Sequence, residues 1–143
     1  MGINTLLSDI GLPGLGHKPV LADSKPRVVI VGAGFGGLAA AEKTAEAGCD
    51  VTLIDRNPYT TFQPLLYQVA TGGLNPGDVT YRLRSFAAHN GPRTHFRRAS
   101  VTGIDTDNRI VEVDNGDPIS YDYLILSPVS YTHLRAHETK ANL

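Results

Sequence analysis

Apolar and polar positions first become regular just after residue 26. Residues 28–31 are four consecutive apolar, β-branched residues, which is typical of a strand buried on both faces. Residues 38–47 are rich in alanine and favour a helix, and Gly48 stands where a helix C-terminal glycine belongs. A second apolar run, residues 51–54, ends at Asp55. This order predicts one right-handed βαβ unit with two parallel strands.

Beyond the second strand the pattern predicts shorter elements. We expect two helices, a hairpin and one further buried strand: helices over residues 62–70 and 79–89, extended segments over 94–104 and 109–113 around a turn at 105–108, and the strand over 123–126. The fold class is therefore α/β: an incomplete Rossmann-type half-domain with a parallel βαβ unit plus a β-hairpin or meander.

The first 26 residues contain four glycines and three prolines, and the spacing of Gly11, Gly14 and Gly16 with the prolines cannot sustain a helix. We expect residues 1–26 to be a flexible extension that precedes a single domain over residues 27–127. They lack the basic and apolar regions of a secretory signal, and no apolar run in the chain is long enough to cross a membrane.

Charge and cysteine content exclude several classes of function. The 13 basic residues nearly cancel the 14 acidic ones, so net charge gives no support to a nucleic-acid partner. Cys49 is the only cysteine, which excludes an internal disulfide, a CxxC pair and a cysteine-rich metal site. We expect Cys49 only to pack at the end of a helix.

A glycine-rich turn joins the first strand to the helix. Gly32, Gly34 and Gly37 fill the three glycine positions of G-x-G-x-x-G, which allow a tight turn, close approach of a pyrophosphate and close helix–strand packing. N–H groups at the helix start would face the anion, and Asp55 can accept both ribose hydroxyls of an adenosine. The predicted phosphate-binding turn comprises Gly32, Ala33, Gly34, Phe35, Gly36 and Gly37.

The glycine motif and Asp55 leave two matters open. The glycines could serve only a tight turn, with Asp55 at a solvated strand end, and the motif does not separate NAD from FAD. Asp55 would repel a 2′-phosphate, although Arg56 beside it weakens that argument.

The segment FQPLLYQVATGGL, residues 62–74, distinguishes the chain from other carriers of the glycine motif. Together with VVIVGAGFGGL and Ile54-Asp55-Arg56, it closely resembles type II NADH dehydrogenases from about residue 27 to residue 126. That family has an FAD domain and an NADH domain, and it passes electrons from NADH through FAD to a quinone in the respiratory chain without pumping protons. The resemblance implies that the glycine turn and Asp55 hold FAD.

The resemblance also implies roles for four residues outside the βαβ unit. Gln63, Pro64 and Gln68 should pass beside the isoalloxazine ring, with the glutamines as neutral hydrogen-bonding groups. Val101 matches a position where related flavoproteins read the adenine through backbone groups. On periodicity alone, the apolar residues of this segment could equally cover a core while the glutamines are solvated.

For the parent protein the resemblance implies NADH and a membrane quinone as partners. It implies a peripheral position on the cytoplasmic side of the bacterial inner membrane, through segments outside this chain, and leaves a homodimer open. We expect the fragment itself to be soluble and inactive. Two alternatives remain: a sulfide:quinone or ferredoxin-reductase-like flavoprotein of the same fold, or a non-catalytic nucleotide-binding module. The CxxxxC pair of the disulfide reductases is missing, which favours direct transfer from the flavin to a diffusible acceptor.

The C-terminal residues depart from the family pattern. Ser127-Pro128 stands where related flavoproteins have an Ala-Thr-Gly-type turn against FAD, and residues 129–139 can be encoded by a string that resembles a transposase-type sequencing-library adapter. We therefore expect residues 128–143 to be a non-native tail. His133 and His137, followed by Glu138, imitate half of a helical metal site, but we expect no metal there.

Overall fold

The βαβ unit forms where the sequence predicts it. In a computed structural model, which describes residues 25–128, strand β1 spans Arg27–Val31, helix α1 spans Phe35–Glu46 and strand β2 spans Asp50–Asp55. The two strands pair in parallel. Helix α1 begins three residues earlier than predicted, because part of the glycine turn forms its first turn. Gly48 follows the helix with a φ of +79°, the left-handed conformation expected of a C-terminal glycine.

Two further strands, β5 (Thr94–Arg98) and β9 (Tyr123–Leu126), join β1 and β2 in the central sheet. The four strands are parallel and lie in the order β5-β2-β1-β9. The prediction that β9 is buried is wrong in part, since Tyr123 is 63% and Leu126 56% exposed. The reason is that β9 is the last strand on its side of the described sheet.

A small antiparallel sheet contains the predicted hairpin. Strand β6 (Val101–Asp105) pairs with β7 (Ile110–Val113), and β8 (Ile119–Ser120) pairs with β7. The prediction of one extended segment over residues 94–104 is wrong, because the chain leaves the parallel sheet after Arg98. Ser100 fixes this break: its N–H donates to the Asp114 carboxylate at 2.9 Å, and its carbonyl accepts from the Asp114 N–H at 3.0 Å.

Between β2 and β5 the structure differs from the prediction in two places. Residues 62–70 form a 3-10 turn, Gln63–Leu65, followed by the short helix α2, Leu66–Ala70. Residues 79–89 are not one helix: a 3-10 turn over Pro76–Val79 leads into strand β4 (Thr80–Arg82), and helix α3 begins at Leu83 and ends at His89. Strand β4 pairs antiparallel with β3, Tyr59–Thr61, and this pairing holds Thr80 and Tyr81 in the extended backbone that they favour.

Alternation along the strands sends side chains to both faces of the parallel sheet, so there are two core clusters. Helices α1 and α3 cover one face, where Leu83 and Ala41 pack on alternate residues of β1 and β2. The antiparallel sheet covers the other face, where Val111 and Tyr121 pack against Val29. The carboxyl ends of β1, β2, β5 and β9 consequently meet at one edge of a three-layer structure.

Some predictions fall on residues outside the described range. These are the N-terminal extension up to residue 24, the tail from residue 129, and the His133–His137 pair. Within residues 25–128, none of the helices combines the length and apolar character that a membrane crossing requires.

Candidate dinucleotide-binding site

The glycine turn is tightly packed against two neighbouring segments. Gly32 has a φ of +98°, and a Cβ there would overlap the carbonyl oxygen of Ser127, just after β9. A Cβ on Gly37 would overlap the carbonyl oxygen of Gly32 itself. Gly32 is therefore required where the turn packs against the end of β9, and Gly37 is required where α1 packs against the turn.

The N-terminus of α1 is left without an acidic neighbour in its own sequence. Gly34 is the N-cap residue, makes no side-chain cap, and no acidic residue lies in the first turn of the helix. The first N–H groups of a helix have no intrahelical acceptor, and they concentrate positive potential at that end. This end of α1 can therefore accept an anion.

Asp55 holds the turn from the end of the adjacent strand. One carboxylate oxygen accepts a hydrogen bond from the N–H of Ala33 at 2.8 Å, and the other accepts from the N–H of Asn57 at 2.8 Å. The carboxylate thus fixes the glycine turn and its own following turn at the same time. Each oxygen keeps one further acceptor position, since a carboxylate offers about four in all.

A cleft of about 510 Å³ lies between these groups. Six of the predicted cofactor-binding residues line it: Ala33, Gly34, Phe35, Gly36, Asp55 and Gln63. Four further lining residues, which follow β2, were not predicted: Asn57, Tyr59, Thr60 and Thr61. Ser127 and Pro128, which follow β9, complete the lining. The sequence placed them where related flavoproteins have a turn against FAD but did not predict them as binding residues, although ligands bind outside the carboxyl ends of parallel strands.

The other six predicted residues lie outside the walls of this cleft. Gly32 and Gly37 pack inside the turn. Arg56 is exposed, and its carbonyl accepts from Nε of Arg98 at 3.2 Å. Pro64 is exposed in the 3-10 turn, Gln68 donates from Nε2 to the Tyr67 hydroxyl at 3.0 Å, and Val101 packs against the core on the antiparallel side. The binding roles of all twelve residues remain predictions.

Two exposed aromatic residues, Phe35 and Tyr59, belong to the walls of the cleft. Phe35, at the start of α1, contacts Phe62 edge-to-face with ring centroids 5.5 Å apart. Both rings are exposed, as are Tyr59 and Tyr67 nearby in the sequence. This side of the cleft therefore offers apolar surface beside the polar glycine turn.

The described residues give no indication of a metal centre. Residues 25–128 contain no group of three or more histidine, cysteine or acidic side chains that could hold a metal ion. Cys49 is partly buried and packs against the core beneath α1, as expected.

A known protein family matches the part of the chain that contains this site. The model of the pyridine nucleotide-disulphide oxidoreductase family matches residues 26–132. The chain belongs to this family. It has a single cysteine, so it contains no cysteine pair like that of disulphide-reducing flavoproteins.

Individual relatives are more specific. Over 62 residues, 43% of this chain and 13% of the relative, the chain is 52% identical to the type II NADH:quinone oxidoreductase NdhA of Mycobacterium tuberculosis. Among solved structures, NDH2 from Plasmodium falciparum in complex with NADH gives a TM-score of 0.66 at 28% identity, over 73% of this chain and 22% of that one. The sulfide:quinone oxidoreductase from Aquifex aeolicus gives 0.65 at 28% identity, over 72% and 24%.

These comparisons confirm the resemblance and the fold class. The homologues are type II NADH:quinone oxidoreductases and related pyridine-nucleotide oxidoreductases, and their α/β fold is the one described above. The chain spans less than a quarter of the length of each relative named here.

Proposed function

We propose that this chain is the N-terminal, FAD-binding part of a type II NADH:quinone oxidoreductase. The observation that carries the proposal is the position of the α1 N-terminus and Asp55 on the walls of one cleft. A helix end suits a pyrophosphate, and a carboxylate at the next strand end suits an adenosine ribose. Relatives with the same fold are named as NADH:quinone oxidoreductases, which supports the reading.

The groups that line the cleft fit the adenosine and pyrophosphate of FAD. Asp55 keeps one acceptor position on each oxygen after its bonds to Ala33 and Asn57, enough for the two ribose hydroxyls. Gly34 and Gly36 carry no side chain that would keep a phosphate from the N–H groups of α1. The absence of an acidic residue from the first turn of α1 removes a repulsion that a phosphate would otherwise meet.

The flavin would supply the redox chemistry, accepting hydride from NADH and passing electrons to a quinone. The residues of this chain would hold and orient it. Gln63 lines the cleft and would offer a neutral hydrogen-bonding group. Pro64, next in the chain, would fix the backbone beside it. Gln68 and Val101 lie outside the cleft walls, and their roles beside the ring and the adenine rest on the family resemblance alone. Arg56, beside Asp55, would add positive charge near the ribose.

A sulfide:quinone oxidoreductase is the second candidate, because the Aquifex aeolicus structure resembles the chain as well as the NADH enzyme does. The two candidates differ in the electron donor. The protein encoded by the continuous genomic reading frame should reduce a quinone analogue with NADH and not with sulfide. Reduction by sulfide alone would establish the second candidate.

Flavin binding by the 143-residue chain tests the site directly. Titration with FAD, followed by flavin fluorescence, should give saturable binding that Gly34→Val abolishes, because a branched side chain would stand where the pyrophosphate approaches. Gly77→Val is the matched control: a Cβ at Gly77 meets nothing within 4 Å, and its φ is not in the left-handed region. Equal FAD binding by wild type and Gly34→Val would contradict the placement of the pyrophosphate.

The remaining proposals concern the parent protein and the chain ends. We propose NADH and a membrane quinone as its partners, a peripheral position at the cytoplasmic membrane face, and a domain over residues 27–127. We also propose that residues 128–143 are not native, and sequencing an independent clone across codon 127 tests this. A native gene that continues with Val-Ser-Tyr-Thr-His-Leu would show that the tail belongs to the protein.

A further inference from the structure

The segment Gln63–Ala70 is attached to the fold without a residue in the core. It consists of the 3-10 turn Gln63–Leu65 and helix α2, Leu66–Ala70, and neither contains a buried residue. The side chains of Leu66 and Tyr67 are 45% and 63% exposed. Because core packing does not fix this segment, its position depends on a few contacts with its neighbours.

Phe62, immediately before the segment, is held from two sides. Its N–H donates to the carbonyl of Val79 at 2.7 Å, and Val79 belongs to the core. Its ring meets the ring of Phe35 edge-to-face, with centroids 5.5 Å apart and planes at 82°. This geometry is attractive because the positive edge of one ring faces the negative face of the other. The carbonyl of Phe62 then accepts from the N–H of Leu65 at 3.1 Å and begins the turn.

Core packing does not account for Phe35 either. It is the first residue of α1, and its side chain is 60% exposed, against 46% for Phe62. Phe35 and Gln63 both line the cleft of about 510 Å³. The aromatic pair therefore links the glycine turn, where we place the pyrophosphate, to the segment that we place beside the flavin ring.

We infer that Phe35 is a positioning residue: through the ring of Phe62 it holds the segment Gln63–Ala70 where that segment receives the flavin end of FAD. The nucleotide end is held separately, by Asp55 and the N–H groups of α1, and these groups do not include the Phe35 side chain. The identity of the ligand rests on the proposed function. The attachment of the segment to Phe35 does not.

Hydrogen exchange of the ligand-free 143-residue chain tests the attachment. Phe35→Leu keeps an apolar side chain but removes the ring. The hydrogen-bonded amides of Leu65, Thr71 and Gly73 should then exchange roughly two- to tenfold faster, the factor that an aromatic pair of this geometry contributes. Exchange in β1 and β2 should not change, and Phe35→Tyr, which keeps the ring, should behave as the wild type.

Binding measurements on the same variants test the role toward the flavin. Phe35→Leu should weaken FAD binding by roughly two- to tenfold, because the apparent affinity falls with the fraction of molecules in which the segment is in place. ADP lacks the flavin and should bind with unchanged affinity, whereas a general loss of structure would weaken both ligands. The double variant Phe35→Leu/Phe62→Leu should bind FAD no more weakly than either single variant, since the two rings act as a unit.

Tyr81→Leu is the matched control. Tyr81 contacts Phe86 edge-to-face at 6.5 Å and is 47% exposed, so the same substitution removes a second aromatic pair of the same kind. Neither residue lines the cleft. Exchange in the segment and the affinity for FAD should both remain unchanged, and circular dichroism establishes that each variant is folded.

Three results would overturn the inference. Unchanged exchange in Phe35→Leu would mean that the segment is held by other contacts, whatever the ligand affinities. Equal weakening of FAD and ADP would place the effect of Phe35 at the phosphate turn. Faster exchange with unchanged FAD affinity would remove the role toward the flavin. Faster exchange in a chain whose wild type binds no FAD would support the attachment and contradict the proposed function instead.

Discussion

Asp55 shows how one side chain can serve both the fold and a ligand. Its two oxygens accept from the N–H groups of Ala33 and Asn57 and still face the cleft. The sequence predicted its place at the strand end, because strand periodicity and the glycine motif are local signals. It could not predict the bond to Ala33, which depends on how the turn folds back over the neighbouring strand.

Replacing Asp55 by alanine should therefore have two effects. FAD affinity should fall at least tenfold, since each charge-assisted bond to a ribose hydroxyl contributes about 1.5–3 kcal/mol. The free energy of unfolding should also fall by about 1–3 kcal/mol, because the N–H of Ala33, a residue only 3% exposed, loses its acceptor. FAD titration and urea unfolding measure the two effects.

Asp105→Ala is the control for this prediction. Asp105 also accepts backbone N–H groups, those of Asp107 and Asn108, but in the turn between β6 and β7. Its removal should lower stability and leave FAD affinity unchanged. An Asp55→Ala protein that binds FAD with its original affinity would assign Asp55 to the turn alone.

At the scale of elements, the sequence predicts the strands and helices that form because of local sequence patterns. The apolar runs of β1 and β2, the alanine-rich α1 and the β6–β7 hairpin all appear close to their predicted positions. Strands β3 and β4 were not predicted, because they are three residues each and exist through pairing with each other. The sequence prediction merged β5 with the first strand of the hairpin. Only pairing with β2, which is distant in sequence, assigns β5 to the central sheet.

The contact between α1 and the glycine turn gives a prediction at this scale. Gly37→Ala should destabilise the domain by about 1–3 kcal/mol, as overpacking does, because its Cβ would overlap the backbone carbonyl of Gly32. Urea unfolding measures the change. Gly36→Ala in the same helix is the matched control, because its nearest neighbour is the adjustable Ser127 hydroxyl, and it should be neutral or stabilising. Equal stability of the two variants would contradict the close packing of α1 on the turn.

The ion pair between Arg27, at the start of β1, and Asp122, just before β9, should make stability depend on pH. Arg27 donates to Asp122 from its side chain, at 3.0 Å, and from its backbone N–H at 2.8 Å, and these bonds lower the pKa of Asp122. A lowered pKa means that the stabilisation is present above the unfolded pKa, about 4, and is lost as pH falls through the folded value. The effect should be about 0.2–1 kcal/mol, because both side chains are roughly one-third exposed.

Asp122→Asn isolates this contribution. Its amide oxygen can still accept from the backbone N–H of Arg27, but it carries no charge and does not titrate. Urea unfolding between pH 7 and pH 3 should show a shallower acid loss of stability in the variant. Part of the acid loss should remain, because hydrogen bonds from Asn108 and Ser100 lower the pKa values of Asp105 and Asp114. Identical pH profiles for variant and wild type would mean that Asp122 is not coupled to folding.

At the scale of the whole molecule, the cleft joins segments that are far apart in the chain. Its walls come from the glycine turn, the end of β2 with the residues after it, and Ser127-Pro128 after β9. Hydrogen bonds already link these segments through the parallel sheet: Gly32 donates to Ile54, and Ser127 donates to Val31. A ligand in the cleft would therefore contact three strand ends at once and should stabilise the domain as a unit.

This coupling predicts which parts of the cofactor stabilise the chain. A ligand that binds only the folded state adds about 2.7 kcal/mol at a hundredfold excess over its Kd, so FAD should raise the thermal midpoint by several degrees. ADP, which carries the adenosine and the pyrophosphate, should also raise it, whereas riboflavin should not, because Asp55 and the α1 N-terminus recognise the nucleotide end. Differential scanning fluorimetry with the three ligands measures the shifts. If riboflavin stabilises the chain and ADP does not, the cleft binds the isoalloxazine ring, and the assignment of Asp55 to the ribose is wrong.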